Sequence, residues 1–209
     1  MAEATVTARG DAVAPGRPDE GIWTLEVTAV KDTPDAALAD VGTRSQALEK
    51  LLDELGIKEK RSTTGVTVRE ELEWAEDKQV HRGFRASNVL TVRLADATVA
   101  GSLIQEAIAR AAAVVSGPVW WIAPDNPARI EACKAAAVEA KRKTEAYAQA
   151  LGLGLGAVAE IKEPPSGMGP MPMARMQSFA ASAGGAPIQV DPGELDVHAQ
   201  VEVSFFLES

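Results

Sequence analysis

Val66 to Leu94 reads VTVREELEWAEDKQVHRGFRASNVLTVRL, and its alternation decides the fold class. Val66, Val68, Leu72 and Trp74 share one face of a first run, and Phe84, Ala86, Leu90, Val92 and Leu94 share one face of a second. A period of two over such lengths is the pattern of half-buried strands. Between them Ala75-Glu76-Asp77-Lys78-Gln79-Val80 is short and charged, which suits a hairpin connection. Each apolar face carries one polar residue, Glu70 and Asn88. Setting Trp74 opposite Phe84 counts Glu70 directly opposite Asn88. A buried carboxylate is costly without a donor, so the count predicts a buried polar pair, Glu70 with Asn88. Its role is read as structural, or as marking an exposed sheet edge, before it is read as a site.

Working outward, residues 4–8 and 21–30 read as strands flanking a turn that contains Pro15-Gly16-Arg17-Pro18. In the second, Trp23, Leu25, Val27 and Ala29 alternate with Thr24, Glu26 and Thr28. Thr33-Pro34 supplies a cap and a first-turn proline, Leu38, Val41, Leu48, Leu52 and Leu55 follow at helical spacing, and Gly56 can end the helix. Asp96 is expected to cap a helix over about 97–115, ended by Gly117-Pro118, with a short strand over 119–123. Asn126-Pro127 opens a third helix that runs to about Leu151. Its stripe is read as Ile130, Cys133, Ala137, Ala140, Thr144, Tyr147 and Leu151. Small residues there predict close approach of another backbone. Strands follow over 157–162 and along Val197, Ala199, Val201, Val203, Phe205 and Leu207. The class is therefore α+β, with antiparallel sheets of hairpin-linked strands packed by two or three long helices. One domain over 1–209 is expected, two lobes of about 1–95 and 96–209 being the other division. Residues 164–186, rich in Met, Pro and Gly, form a flexible insertion in this reading.

The chain has 209 residues, enough to bury roughly 70% of its unfolded surface without staples. Net charge is -9, from 21 Lys plus Arg against 30 Asp plus Glu. An acidic surface lacks the basic footprint that displaces counterions, so no nucleic-acid partner is expected. No stretch is apolar for long enough to span a bilayer, so no membrane insertion is expected. The single cysteine excludes an internal disulfide. The first residues show neither a basic nor an apolar leader segment, and a cytoplasmic location is expected for the chain as given.

Catalytic machinery is sparse. The two histidines, His81 and His198, have no helical partner at metal-ligand spacing and read as solvated. Cys133 reads as a small buried hydrophobe on its helix. Gly152-Leu153-Gly154-Leu155-Gly156 follows a helix, so its amides are not aimed at an anion, and it reads as a cap and turn. Arg9-Gly10-Asp11 looks like an adhesion tripeptide, but a turn between strands explains it at least as well. No catalytic residue, metal site or cofactor is assigned. Met168, Met171, Met173 and Met176 are soft donors and oxidant targets, but an adaptable contact surface ranks first for them. Trp120 and Trp121 are adjacent on an expected strand, so they face opposite ways. One can enter the core and the other must be covered, which predicts a homo-oligomer.

The order of segments resembles the SIMPL-domain proteins, named for a signalling molecule that associates with a pelle-like kinase. Ala8-Arg9-Gly10-Asp11 before Pro18-Asp19 is similar to that family's glycine-bearing first strand and Pro-Asp entry to the second. Gly83-Phe84-Arg85-Ala86-Ser87 is similar to its Gly-Tyr-x-Ala-Ser strand start. The Ala-rich run from Ala132 to Gly156, with Lys141-Arg142-Lys143, and the segments Pro187-Ile188, Pro192-Gly193-Glu194 and Val201-Glu202-Val203 continue the resemblance. It covers nearly the whole chain. It implies a relation to envelope proteins of bacteria, one of them an immunogen that assembles into a channel-like oligomer. It also implies links to oxidative-stress tolerance and, in an animal member, to kinase-dependent signalling. It supplies no catalytic residue to carry over. The chain departs from the family's envelope members by its lack of a visible leader and by the Met-rich insertion. The expectation is a non-enzymatic, self-assembling, stress-related scaffold with an unknown protein partner. A small-molecule or soft-metal-binding module using the Met-rich loop is the alternative.

Overall fold

Ten elements follow one another along the chain: β1 (Thr5–Gly16), β2 (Glu20–Lys31), α1 (Pro34–Glu54), β3 (Arg61–Ala75), β4 (Lys78–Leu94), α2 (Thr98–Ala111), β5 (Val114–Trp121), α3 (Pro127–Ala150), β6 (Gly154–Lys162) and β7 (Leu195–Glu208). The computed structural model describes residues 4–57, 60–75, 78–163 and 190–208. The fold is α+β, with antiparallel sheets of order β1-β7-β6 and β3-β4-β2-β5. The chain divides into two compact units, each sheet with its helices in a separate one.

In the first unit β1 pairs with β7 along its full length, from Thr5 opposite Phe206 to Gly16 opposite Leu195. The strand expected to stop at residue 8 therefore continues through Arg9-Gly10-Asp11, which is strand and not turn. Its inward positions are small: Ala8, Gly10, Ala14 and Gly16 are buried. They meet α3, whose buried residues are Ala128, Ala132, Ala136, Ala140, Thr144 and Ala148. Four-residue steps stack along one helix face, and methyl groups against glycine bring the two backbones together. Ala140 and Thr144 of the expected stripe are buried, but the rest of the buried face is not the one read from the larger residues. Ile130, Tyr147 and Leu151 are exposed, and so is Cys133, which was expected inside. The close approach was correctly anticipated, but the residues that make it are the alanines. Asn126 caps α3 by accepting from the Ala128 amide at 2.9 Å, as its Asn-Pro start suggested.

The second unit lays α1 and α2 on one face of its sheet. Leu25, Val27, Leu90 and Val92 from the strands, Leu48 and Leu52 from α1 and Leu103 from α2 belong to one buried cluster. Full burial of each such side chain is worth roughly 1.5–3 kcal/mol. The Thr33 hydroxyl caps α1 by accepting from the Ala36 amide, and Gly56 turns the chain at φ +74°. Of the α1 residues read as apolar face, Leu38 is exposed and Leu51 takes its place in the core. The second helix ends four residues earlier than expected. Ala112 takes the left-handed conformation at φ 44°, and Val114-Val115 join β5, which continues through Gly117-Pro118. β-branched side chains favour strand over helix, and the Arg44 guanidinium from α1 donates to the carbonyls of Ala111, Ala112 and Thr28. Those bonds hold the helix end against β2.

Candidate interaction surface

β4 is longer than the sheet that contains it. Its pairing with β2 runs from Gly21 opposite Leu94 to Lys31 opposite Phe84. Beyond Phe84 only β3 accompanies it among the described residues, so the hairpin end is a two-stranded ribbon there. Such ribbons are marginal in water by themselves. Gly83 stands where the ribbon leaves the sheet, at φ +122°, and a Cβ there would strike the Lys31 carbonyl oxygen. Arg82 is the extra residue of a bulge, because Glu71 faces Gly83 while Leu72 faces His81.

This register corrects the sequence count. Trp74 lies opposite Gln79, Glu70 opposite Phe84 and Val66 opposite Asn88. Glu70 and Asn88 share a face but sit four residue pairs apart along the ladder, so the buried polar pair does not form. Glu70 is exposed. Asn88 instead donates from Nδ2 to Ser45 Oγ of α1 at 2.9 Å, and its Oδ1 is buried without a partner among the described residues. The connection is tighter than assumed, which moves the partner of Trp74 by five residues, and the bulge returns one of them, so that the partner of Glu70 moves by four.

Along β3 one face carries Val66, Val68, Glu70, Leu72 and Trp74. Val66, Val68, Leu72 and Trp74 are exposed at 59%, 44%, 47% and 71%. Because Val66 faces Asn88 and Asn88 reaches α1, this row continues the helix-covered face beyond the helix. β3 is also an edge strand, so one side of its backbone has no ladder partner among the described residues. The opposite face is ionic. Arg85 grips Glu71 with two bonds at 2.7 and 2.5 Å, and Arg82 pairs with Glu73 at 2.5 Å. The Arg85 bonds hold the Glu71 carboxyl below its ordinary value, and they raise the guanidinium's own.

Trp120 and Trp121 fall at the end of β5, and both are half-buried. Trp120 lies over Gly21, where an added Cβ would meet its ring. Trp121 stacks with the Arg93 guanidinium, 5.6 Å from the ring centroid. Neither is bare and neither belongs to the buried cluster, so the demand for a covering surface rests on Trp74 instead. The residues Met168, Met171, Met173 and Met176 lie outside the described residues. His81 belongs to β4 and meets the Phe84 ring edge-on at 5.2 Å. His198 is exposed on β7. A cleft of about 510 Å³ opens between the end of α1 and the start of α2, with Lys60 and Arg93 on its rim. Glu20 pairs with both cations. Among the described residues no three His, Cys, Asp or Glu side chains are grouped to hold a metal ion, and no helix is long and apolar enough to cross a membrane.

Ser45, Arg82 and Gly83 decide this surface; the sequence reading missed the first two and took Gly83 only as a strand start. The signal for Gly83 was present, a glycine between two alternating runs, which often marks a bulge. No curated protein matches the chain. The model of the SIMPL family, described as a protein of unknown function (DUF541), matches residues 6–205. The hairpin strands and the Ala-rich helix fall within that match, as do nearly all of glycine-bearing β1 and most of the last strand, and the chain belongs to the SIMPL family.

Proposed function

We propose that this protein works by assembly and protein contact, without turnover, as a scaffold in the stress-related setting that its family resemblance implies. The observation that carries the reading is the uncovered row of Val66, Val68, Leu72 and Trp74 on an edge strand. Scattered apolar residues on a surface need no explanation, but two exposed apolar pairs, Val66 with Val68 and Leu72 with Trp74, on either side of Glu70 beside an open backbone ladder favour association. His81, His198 and Cys133 carry the chemistry most often used for turnover; each is exposed, and they stand on three different elements. That arrangement supports contact over catalysis.

Native mass spectrometry over a concentration series tests the reading, because it reports subunit number and retained ligand together. Two or more chains per particle are expected. A protein that stays single at high concentration, or that carries a stoichiometric small molecule in its monomeric form, overturns it.

A further inference from the structure

The exposed edge of β3 is complementary to itself. Read outward from Glu70, the strand has Arg69 and Glu71, then Val68 and Leu72, then Val66 and Trp74. We propose that the partner seated on this edge is a second copy of the same strand, running antiparallel about a two-fold axis at Glu70. The proposal rests on the assembly reading above and deepens it.

An axis perpendicular to the sheet keeps each face on its own side, so the apolar row of one copy continues into that of the other. Val68 then faces Leu72 and Val66 faces Trp74, each twice, so that every exposed apolar side chain of the row gains an apolar neighbour across the new ladder. On the opposite face Arg69 of each copy meets Glu71 of the other. Glu71 is already held by Arg85, but a carboxylate has lone pairs for further donors. Moving the axis by one residue spoils the match, since Glu70 then falls against Val68 or against Leu72. Joined at this edge, the two sheets become one of eight strands in the order β5-β2-β4-β3-β3-β4-β2-β5. The ladder groups left open in one copy are taken up by the other. The cost of this register is Glu70 beside its own symmetry mate, since like charges directly opposite are unfavourable. That cost makes the axis detectable.

The test uses the full chain carrying Cys133→Ser, so that an introduced thiol is the only one. Residues directly opposed in an antiparallel ladder have Cα atoms about 4.5–5.5 Å apart, within disulfide range. Glu70→Cys is expected to give a covalent dimer on mild oxidation, whereas Val119→Cys, on the far edge strand β5, is not. Glu70→Gln, which removes the repulsion, is expected to tighten association by about 2- to 5-fold in sedimentation equilibrium. Equal cross-linking at both edges, no cross-link at 70 in a protein that sediments as an oligomer, or weaker association of Glu70→Gln each overturns this register while leaving assembly in place. A parent protein that sediments only as a monomer overturns both.

Discussion

Gly10 has no side chain, and the structure has no room for one: an added Cβ would fall on the Ala136 carbonyl and near the Ala140 amide of α3. Glycine in a strand costs conformational entropy, so alanine would ordinarily stabilise the strand. Here the clash decides the sign, because both neighbouring atoms are helix backbone and cannot turn aside. Gly10→Ala is expected to destabilise by about 2–3 kcal/mol, a typical overpacking cost. Gly42, in α1, gives the contrast, since nothing lies within 4 Å of its added Cβ. Gly42→Ala is expected to stabilise by about 0.5–1 kcal/mol through helix propensity. Urea unfolding of the two variants checks both signs; destabilisation at residue 42, or none at residue 10, would contradict the packing described. The same contacts explain why the glycine was misread. An Arg-Gly-Asp triplet looks like a turn until a helix is found lying on its middle residue.

Elements whose boundaries are set by local chemistry were legible in the sequence. Thr33-Pro34 and Asn126-Pro127 start α1 and α3 because a side-chain oxygen and a fixed φ act within two or three residues. Elements set by distant partners were not. The end of α2 depends on Arg44, more than sixty residues earlier, and the face of α3 depends on how small β1 is. The β3 and β4 faces were read correctly from alternation, but their register was not, because a period-two pattern does not mark where the hairpin turns, and Ala75 is already paired with Lys78. That register places Glu71 within reach of Arg85 and gives the ribbon a pH dependence. The hydrogen bonds from Arg85 hold the folded Glu71 carboxyl below its ordinary value of 4.5. In that window the unfolded chain binds the proton more readily, so the pair's contribution rises with pH. It is fully present above the ordinary value and is lost as pH falls through the lower, folded one. Glu71→Gln should therefore lower stability at neutral pH, with the gap to the parent closing below about pH 4. Chemical denaturation at pH 7 and at stepwise lower pH measures the gap; a difference that stays constant down to pH 2 would exclude the ion pair as its cause.

At the scale of the whole molecule, an acidic surface and an apolar row make opposite demands. A net charge of -9 disfavours bringing copies together, while Trp74, 71% exposed at the tip of a two-stranded ribbon, favours it. Charge repulsion between surfaces is screened beyond about 8 Å at physiological salt, whereas burial of an indole is not. Salt should therefore strengthen association, and removing the apolar anchor should abolish it. Buried aromatic anchors commonly carry 2 kcal/mol or more of binding energy, about thirtyfold in affinity. The paired change Leu72→Glu with Trp74→Glu is expected to weaken assembly by at least that factor. The thermal transition of the fold should stay within a few degrees, because both side chains are outside the core. Val138→Glu on α3, at a residue 67% exposed, controls for added negative charge and should leave assembly unchanged. Sedimentation velocity at low and high salt, beside a thermal scan of each variant, separates the alternatives. If Val138→Glu disrupts assembly as strongly as the paired change, net charge governs association and the β3 row does not.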